Sequence, residues 1–285
     1  MTRFADPSRD IPFKKLFADN KHKDVLISFL NAVLEREAKR QIVDVEILDT
    51  NNTPELNSLK LTILDVRCTD QSGNQYIVEM QRKNQSDFGQ RSLFYVAQSF
   101  SRQLGPREEY KELMPVIFVG VLNFSTFKGK DPISHHLILN TKTHEQELKH
   151  QEFHFVELPK FKKEEDELET VVDKWLYLLK NAYKMDSIPE SLNSPEPLHE
   201  ALDILSTYRW TKKELEAYDK ELDRTRVEKS ILRTERDNGR VEGLAQGELE
   251  GKRAVAKKLL AKGNDIDFIQ EITGLSIEAI KALKK

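Results

Sequence analysis

LTILDVRCTDQSGNQYIVEMQRK, residues 61–83, sets a polar turn, Gln71–Ser72–Gly73–Asn74, between two strand-like runs. That pattern spells two antiparallel strands and a hairpin. A turn centred on Ser72 sets Asp65 opposite Glu79. Side chains alternate faces along a strand, so Glu79 and Gln81 project together, and Asp65 joins them beside Ile63 and Ile77. Two carboxylates facing each other in a sheet repel. Apolar neighbours raise the cost, because an unpaired charge away from water is expensive. A divalent cation offsets it, since hard cations take oxygen ligands. In phosphodiester cleavage such a metal polarises the phosphate and lowers the pKa of an attacking water. The plainer reading makes Asp65 and Glu79 solvent-face residues of a half-exposed hairpin, and spacing alone leaves both readings open.

Outward from the hairpin, residues 12 to about 40 read as helices. Phe13, Leu16 and Phe17 share one face, and Val25–Leu34 repeats apolar residues at helical spacing. Gln41–Asp49, Leu59–Thr69 and Gln75–Gln81 carry strand signals. Asn84–Gln103 is helical in pattern and stops at Gly105–Pro106. Met114–Phe124, MPVIFVGVLNF, is a nearly continuous apolar run, as in a strand buried on both faces. Strand-like pieces follow around His136–Leu139 and Glu152–Leu158. The order implies an α/β core, a mixed sheet flanked by helices, over about residues 1–185.

Beyond Glu164 the chain reads as helical. Glu167–Tyr183 is amphipathic, and Ser187–Pro197 is a linker. Residues 186–253 form a charged stalk in which Gly239, Gly243, Gly247 and Gly251 recur every four residues. Glycine costs about 1 kcal/mol in a helix interior, so the stripe marks either close helix–helix approach or a fraying segment. Residues 254–285 read as a helix-turn-helix-like unit: helices at Ala254–Lys262, Asp265–Thr273 and Ser276–Lys284, with Gly263 and Gly274 as stops and Ser276 as N-cap. The last helix offers only Lys281, Lys284 and Lys285, and no Arg, Asn or Gln to read base edges. Packing or self-association suits it better.

The chain has 285 residues, with 45 Lys+Arg against 48 Asp+Glu and a net charge of −3. Any phosphate-binding surface is therefore a local patch. The single cysteine, Cys68, excludes an internal disulfide and a cysteine metal cluster and suits a cytoplasmic location. No apolar run resembles a signal peptide or a membrane span, so no membrane partner is expected. Nucleotide-binding loops of the GxxxxGK[ST] or GxGxxG type do not occur. His150 and His154 have HxxxH spacing, but in strand-like text that makes no zinc site.

An Asp in one strand followed by Glu-x-Gln in the next resembles the PD-(D/E)XK nuclease signature. More closely, the chain resembles the recombination-promoting nuclease (Rpn) family of PD-(D/E)XK transposases. DIPFKKLF (Asp10–Phe17), LISFLNAVL (Leu26–Leu34), LDVRCTDQSGNQYIVEMQ, RSLFYVAQSFSRQLGPREEY, PVIFVGVLNF and VELPKF (Val156–Phe161) occur in the family's order, followed by the Gly-spaced stalk and the TGLS ending.

The resemblance implies a restriction-endonuclease-like core with a helical C-terminal extension. It implies metal-dependent DNA endonuclease activity tied to recombination, mobile elements or defence against foreign DNA. Asp65 and Glu79 would ligate the metal, by default Mg2+, with Mn2+ or Ca2+ as substitutes. Gln81 stands where most of the superfamily has a lysine. Glutamine is neither a cation nor a base near neutral pH, and Lys83, one strand repeat on, is a possible source of charge. Glu35, or less readily Asp10, would add an acid from the first helices. Arg91 and Tyr95, four apart on the next helix with Gln98 beyond, are candidate DNA contacts, or else a structural partner of an acid and a core aromatic. Two rivals remain: a non-catalytic DNA-binding protein on a nuclease scaffold, and an interaction module that forms homo-oligomers through its C-terminal helices.

Overall fold

The computed structural model describes residues 3–48, 65–84 and 87–283, which divide into two compact units, Met1–Leu215 and Glu216–Lys285. Among the described residues the strands are β1 (Val45–Leu48), β2 (Val66–Asp70), β3 (Gln75–Gln81), β4 (Val116–Leu122), β5 (Ile133–Leu137) and β6 (Gln151–Glu157). The helices are α1 (Asp10–Phe17), α2 (Lys23–Val33), α3 (Phe88–Ser101), α4 (Val171–Asn181), α5 (Glu196–Leu205), α6 (Lys212–Ala261), α7 (Ile266–Thr273) and α8 (Ile277–Ala282).

The strands form one mixed sheet in the order β1-β2-β3-β4-β6-β5. β3, β4 and β6 run parallel, and the other neighbours are antiparallel. β4 is buried along its whole length, as its unbroken apolar run requires. The hairpin register follows the turn: Val66 faces Val78, Arg67 faces Ile77 and Cys68 faces Tyr76. Ile63 and most of the expected strand Leu59–Thr69 lie outside the described residues.

The two sheet faces pack differently. On one, Ile77, Phe118, Phe153 and Phe155 join Phe88, Tyr95 and Val96 of α3 in a mostly aromatic cluster. The layer of α1, α2, α4 and α5 has its own aromatic centre, where Phe17 meets Phe13 and Phe29 at 4.9 Å between ring centroids. Trp175 packs edge-on to Phe29, and its indole N–H donates to Ser28 Oγ at 3.1 Å. Such aromatic pairs add about 1 kcal/mol each beyond burial.

α5 lies past the boundary expected near residue 185. It packs on α1 and α2 through buried Leu198, Ala201, Leu202 and Leu205. The Ala5 amide donates to the Leu205 carbonyl at 2.9 Å, tying the first described residues to its end. The helix expected at Ala254–Lys262 is instead the last part of α6, which runs unbroken through all four stripe glycines. A Cβ added at Gly239, Gly243, Gly247 or Gly251 would meet nothing within 4 Å. In the second unit, Ala256, Ile269, Leu275 and Ile280 close a small core. Ser276 caps α8 by accepting from the Ala279 amide at 3.2 Å, and Gly274 ends α7 with φ of 67°.

Candidate active site

β3 carries Glu79 near the C-terminal end of the parallel strands. Its row across the sheet is Glu79, Gly120 on β4 and Phe155 on β6. A Cβ on Gly120 would meet ring carbons of Phe118 and Phe155 at 3.0 Å. Any larger residue there would crowd the aromatic core, and with glycine the row beside Glu79 is free of a side chain.

Glu79 is 5% exposed. Its Oε1 accepts from Arg91 Nη2 at 3.2 Å, while Oε2 is buried with no hydrogen-bond partner among the described residues. Arg91 is aimed by α3: its Nε donates to the Tyr95 hydroxyl, one turn on, at 2.9 Å. Asp65 precedes β2, and its Oδ2 accepts from the Met80 amide at 2.8 Å. The hairpin register carried one residue further sets it opposite Glu79. Asp10, at the start of α1, lies against the Asp65 carboxyl, and Lys14 pairs with Asp10 at 2.8 Å.

The electrostatics follow from this crowding. Burial raises the Glu79 carboxyl to about 7, and the Asp65 charge adds to it against the opposing Arg91 cation. Burial raises Asp65 to about 6; the Met80 amide opposes this and the Asp10 charge reinforces it. Near neutral pH the two acids are therefore poised between protonated and ionised forms.

Gln81 projects from the same face as Glu79, and its side-chain amide donates to the Lys83 carbonyl at 3.1 Å. Lys83 lies beyond the end of β3, outside the strand alternation that was to align it with Gln81. Tyr95 is buried in the aromatic cluster, with only its hydroxyl committed to Arg91. Glu35 does not join this group. It follows α2 with φ of 49°, and its charge acts on His135. Its neighbour Arg36 pairs with Glu152, which projects from the sheet face opposite Glu79. Asp10, the weaker of the two expected extra acids, is the one beside Asp65. Lys14 was not singled out from the sequence. Its only signal is the Asp10–Lys14 spacing of four on a helix with Phe13 and Phe17 inward.

Among the described residues no three His, Cys, Asp or Glu side chains converge as a ready-made metal cage. This holds for His154 too, which hydrogen-bonds to His135 at 2.6 Å. The acid pair still fits a hard cation that keeps part of its water shell. Buried Glu79 Oε2 lacks a partner among the described residues, and a nearby second carboxylate offers further oxygens.

A mixed six-stranded sheet flanked by helices is consistent with the α/β fold of PD-(D/E)XK nucleases. The family model for the PD-(D/E)XK nuclease family transposase matches residues 7–235, and the chain belongs to that family. Its role is nuclease-like, DNA is the substrate this family implies, and such nucleases generally use divalent metals. No curated protein and no solved structure matched the chain significantly. No described helix is long and apolar enough to cross a membrane.

Proposed function

We propose that the protein is a divalent-metal-dependent DNA endonuclease acting in recombination, mobile-element biology or defence against foreign DNA. The observation that carries this is the buried pair Glu79 and Asp65, with an unpartnered carboxylate oxygen and pKa values raised to about 7 and about 6. Asp65 and Glu79 would hold the cation, Mg2+ first and Mn2+ or Ca2+ as substitutes. When bound, the cation polarises a phosphate oxygen and makes a water more acidic. Gln81 orients water or phosphate by hydrogen bonds and takes no proton. Two helices would supply the cation missing at position 81: among the described residues Lys14 on α1 acts on Asp65 and Arg91 on α3 pairs with Glu79. Tyr95 fixes the Arg91 fork, whose geometry suits a phosphate. Exposed Val227, Ile231, Val241 and Leu244 on α6 support self-association through the C-terminal helices.

Supercoiled plasmid, incubated with wild type or Asp65→Ala in Mg2+, Mn2+, Ca2+ or EDTA, tests the reading. Nicking that needs a metal and disappears in Asp65→Ala supports it. No nicking by folded wild type in any metal would favour a non-catalytic DNA-binding role on the nuclease scaffold.

A further inference from the structure

On the same sheet face as Glu79, a cavity of about 380 Å3 lies between α3 and the loop after β4. Phe127, His136, Phe153 and Phe155 line one side, and Gly89 and Leu93 of α3 the other. We infer that this cavity takes one unstacked nucleobase of the DNA strand bound at the carboxylates. The inference rests on the nuclease reading above.

Three observations point to a base rather than to an aliphatic group. The lining is a set of ring faces and edges: Phe127 lies 4.5 Å from His136 and 4.6 Å from Phe155 between ring centroids. Aromatic platforms of this kind bind bases of any sequence by stacking. The platform is built rather than loose. Glu157, fully buried, accepts from the Thr126 amide at 2.5 Å and the Phe127 amide at 3.2 Å. Lys160 pairs with the same carboxylate and donates to the Phe127 carbonyl at 2.9 Å. The chain that leaves Phe127 is also basic, with exposed Lys128 and Lys130 in the sequence FKGK. An aromatic pocket on a segment that carries lysines suits a base stacked in the pocket with its phosphate near a basic stretch.

His136 adds a polar edge. Its Nε2 meets Ser134 Oγ at 3.1 Å, and Nδ1 has no hydrogen-bond partner among the described residues. Burial, reinforced by the His154 ring, lowers its pKa and keeps the imidazole neutral, so it can meet a base edge without a net charge.

Position supports the same ligand. Phe155 stands in the Glu79–Gly120–Phe155 row, two strand spacings or roughly 10 Å from Glu79. That is about three nucleotides along a stacked strand, and fewer along an extended one. The carboxylates and the cavity flank the first turns of α3, with Arg91 on one side and Gly89 and Leu93 on the other. A strand passing the start of α3 reaches both.

The test uses full-length Asp65→Ala, which should bind without cutting, and a short single-stranded DNA carrying one abasic site at successive positions. The expected scan shows a drop of about tenfold in affinity when the missing base falls at one position, and little elsewhere. Gly89→Leu adds a side chain on the cavity wall, where a Cβ meets nothing within 4 Å. In that variant the scan should become flat, and wild-type-background Gly89→Leu should stay folded by thermal melt. Phe127→Ala should flatten it too. A flat scan before the substitutions, with DNA still bound and plasmid still cut by wild type, overturns the cavity and leaves the nuclease reading intact. Absence of both DNA binding and cutting overturns both.

Discussion

Asp70 and Glu79 are both buried acids of the β2–β3 hairpin, one beside the turn and one at the open end, and they are held in opposite ways. Asp70 accepts from the Ser72 amide at 2.8 Å and the Asn74 amide at 3.0 Å. Its second oxygen accepts from Asn74 Nδ2 at 2.8 Å and the Tyr76 hydroxyl at 2.9 Å. Among the described residues Glu79 has one cation on one oxygen and nothing on the other. A buried acid with its lone pairs satisfied is a structural part, because the bonds repay its desolvation. A buried acid left short is a cost carried for something absent from the chain itself. On the proposed reading, the hairpin separates folding from chemistry along its length.

The largest expected effects break this contrast at the Glu79 end. Glu79→Gln should lower plasmid cleavage at least about a hundredfold, the scale of removing one charge-stabilising group from an active site. It should also raise the melting temperature of the metal-free protein at pH 8, since it removes a buried charge. A cleavage rate near wild type, or a lowered melting temperature, would count against the assignment. Asp70→Ala should do the reverse. It leaves two backbone amides, the Asn74 side-chain amide and the Tyr76 hydroxyl without their acceptor and should cost about 3 kcal/mol of stability. Cleavage per folded molecule should stay near wild type, as read from denaturant melts alongside activity.

Arg91→Ala gives a smaller, two-signed effect. The guanidinium competes with a metal for Glu79, so Mn2+ should bind a few-fold tighter while DNA cleavage falls about tenfold. Loss of both together would make Arg91 merely structural. Smaller still is the pH response. Asp65 and Glu79 have folded-state values of about 6 and about 7, above those of an unfolded chain. The folded state then binds more protons, so these groups favour folding below about pH 4, and that contribution is lost as pH rises through 6 and 7. The metal-free melting temperature should fall between pH 5 and pH 8, and Glu79→Gln should flatten the fall.

Much of this was legible in the sequence where local rules govern. The turn Gln71–Asn74 fixed the register, because a tight turn leaves the strands one way to pair, and Val66 does face Val78. The unbroken apolar run at Met114–Phe124 gave a fully buried strand. What stayed hidden depends on where each helix ends against the sheet. α1 and α2 share one layer, yet the end of α2 carries Glu35 toward His135, while the start of α1 sets Asp10 beside Asp65. The Arg91–Glu79 pair joins α3 to β3, and spacing along α3 could give its partner only as some acid. The four stripe glycines, each a local penalty, still left α6 continuous over 50 residues.

The most direct test of the acid pair as a divalent-cation site is calorimetric titration of Mn2+ into wild type and Glu79→Gln, at pH 6 and pH 8. Wild type should bind more tightly at pH 8 than at pH 6 and release protons on binding, because the raised carboxyls must ionise to hold the metal. Glu79→Gln should bind weakly at both. Equal Mn2+ binding by the two proteins, with no proton release, would contradict the assignment.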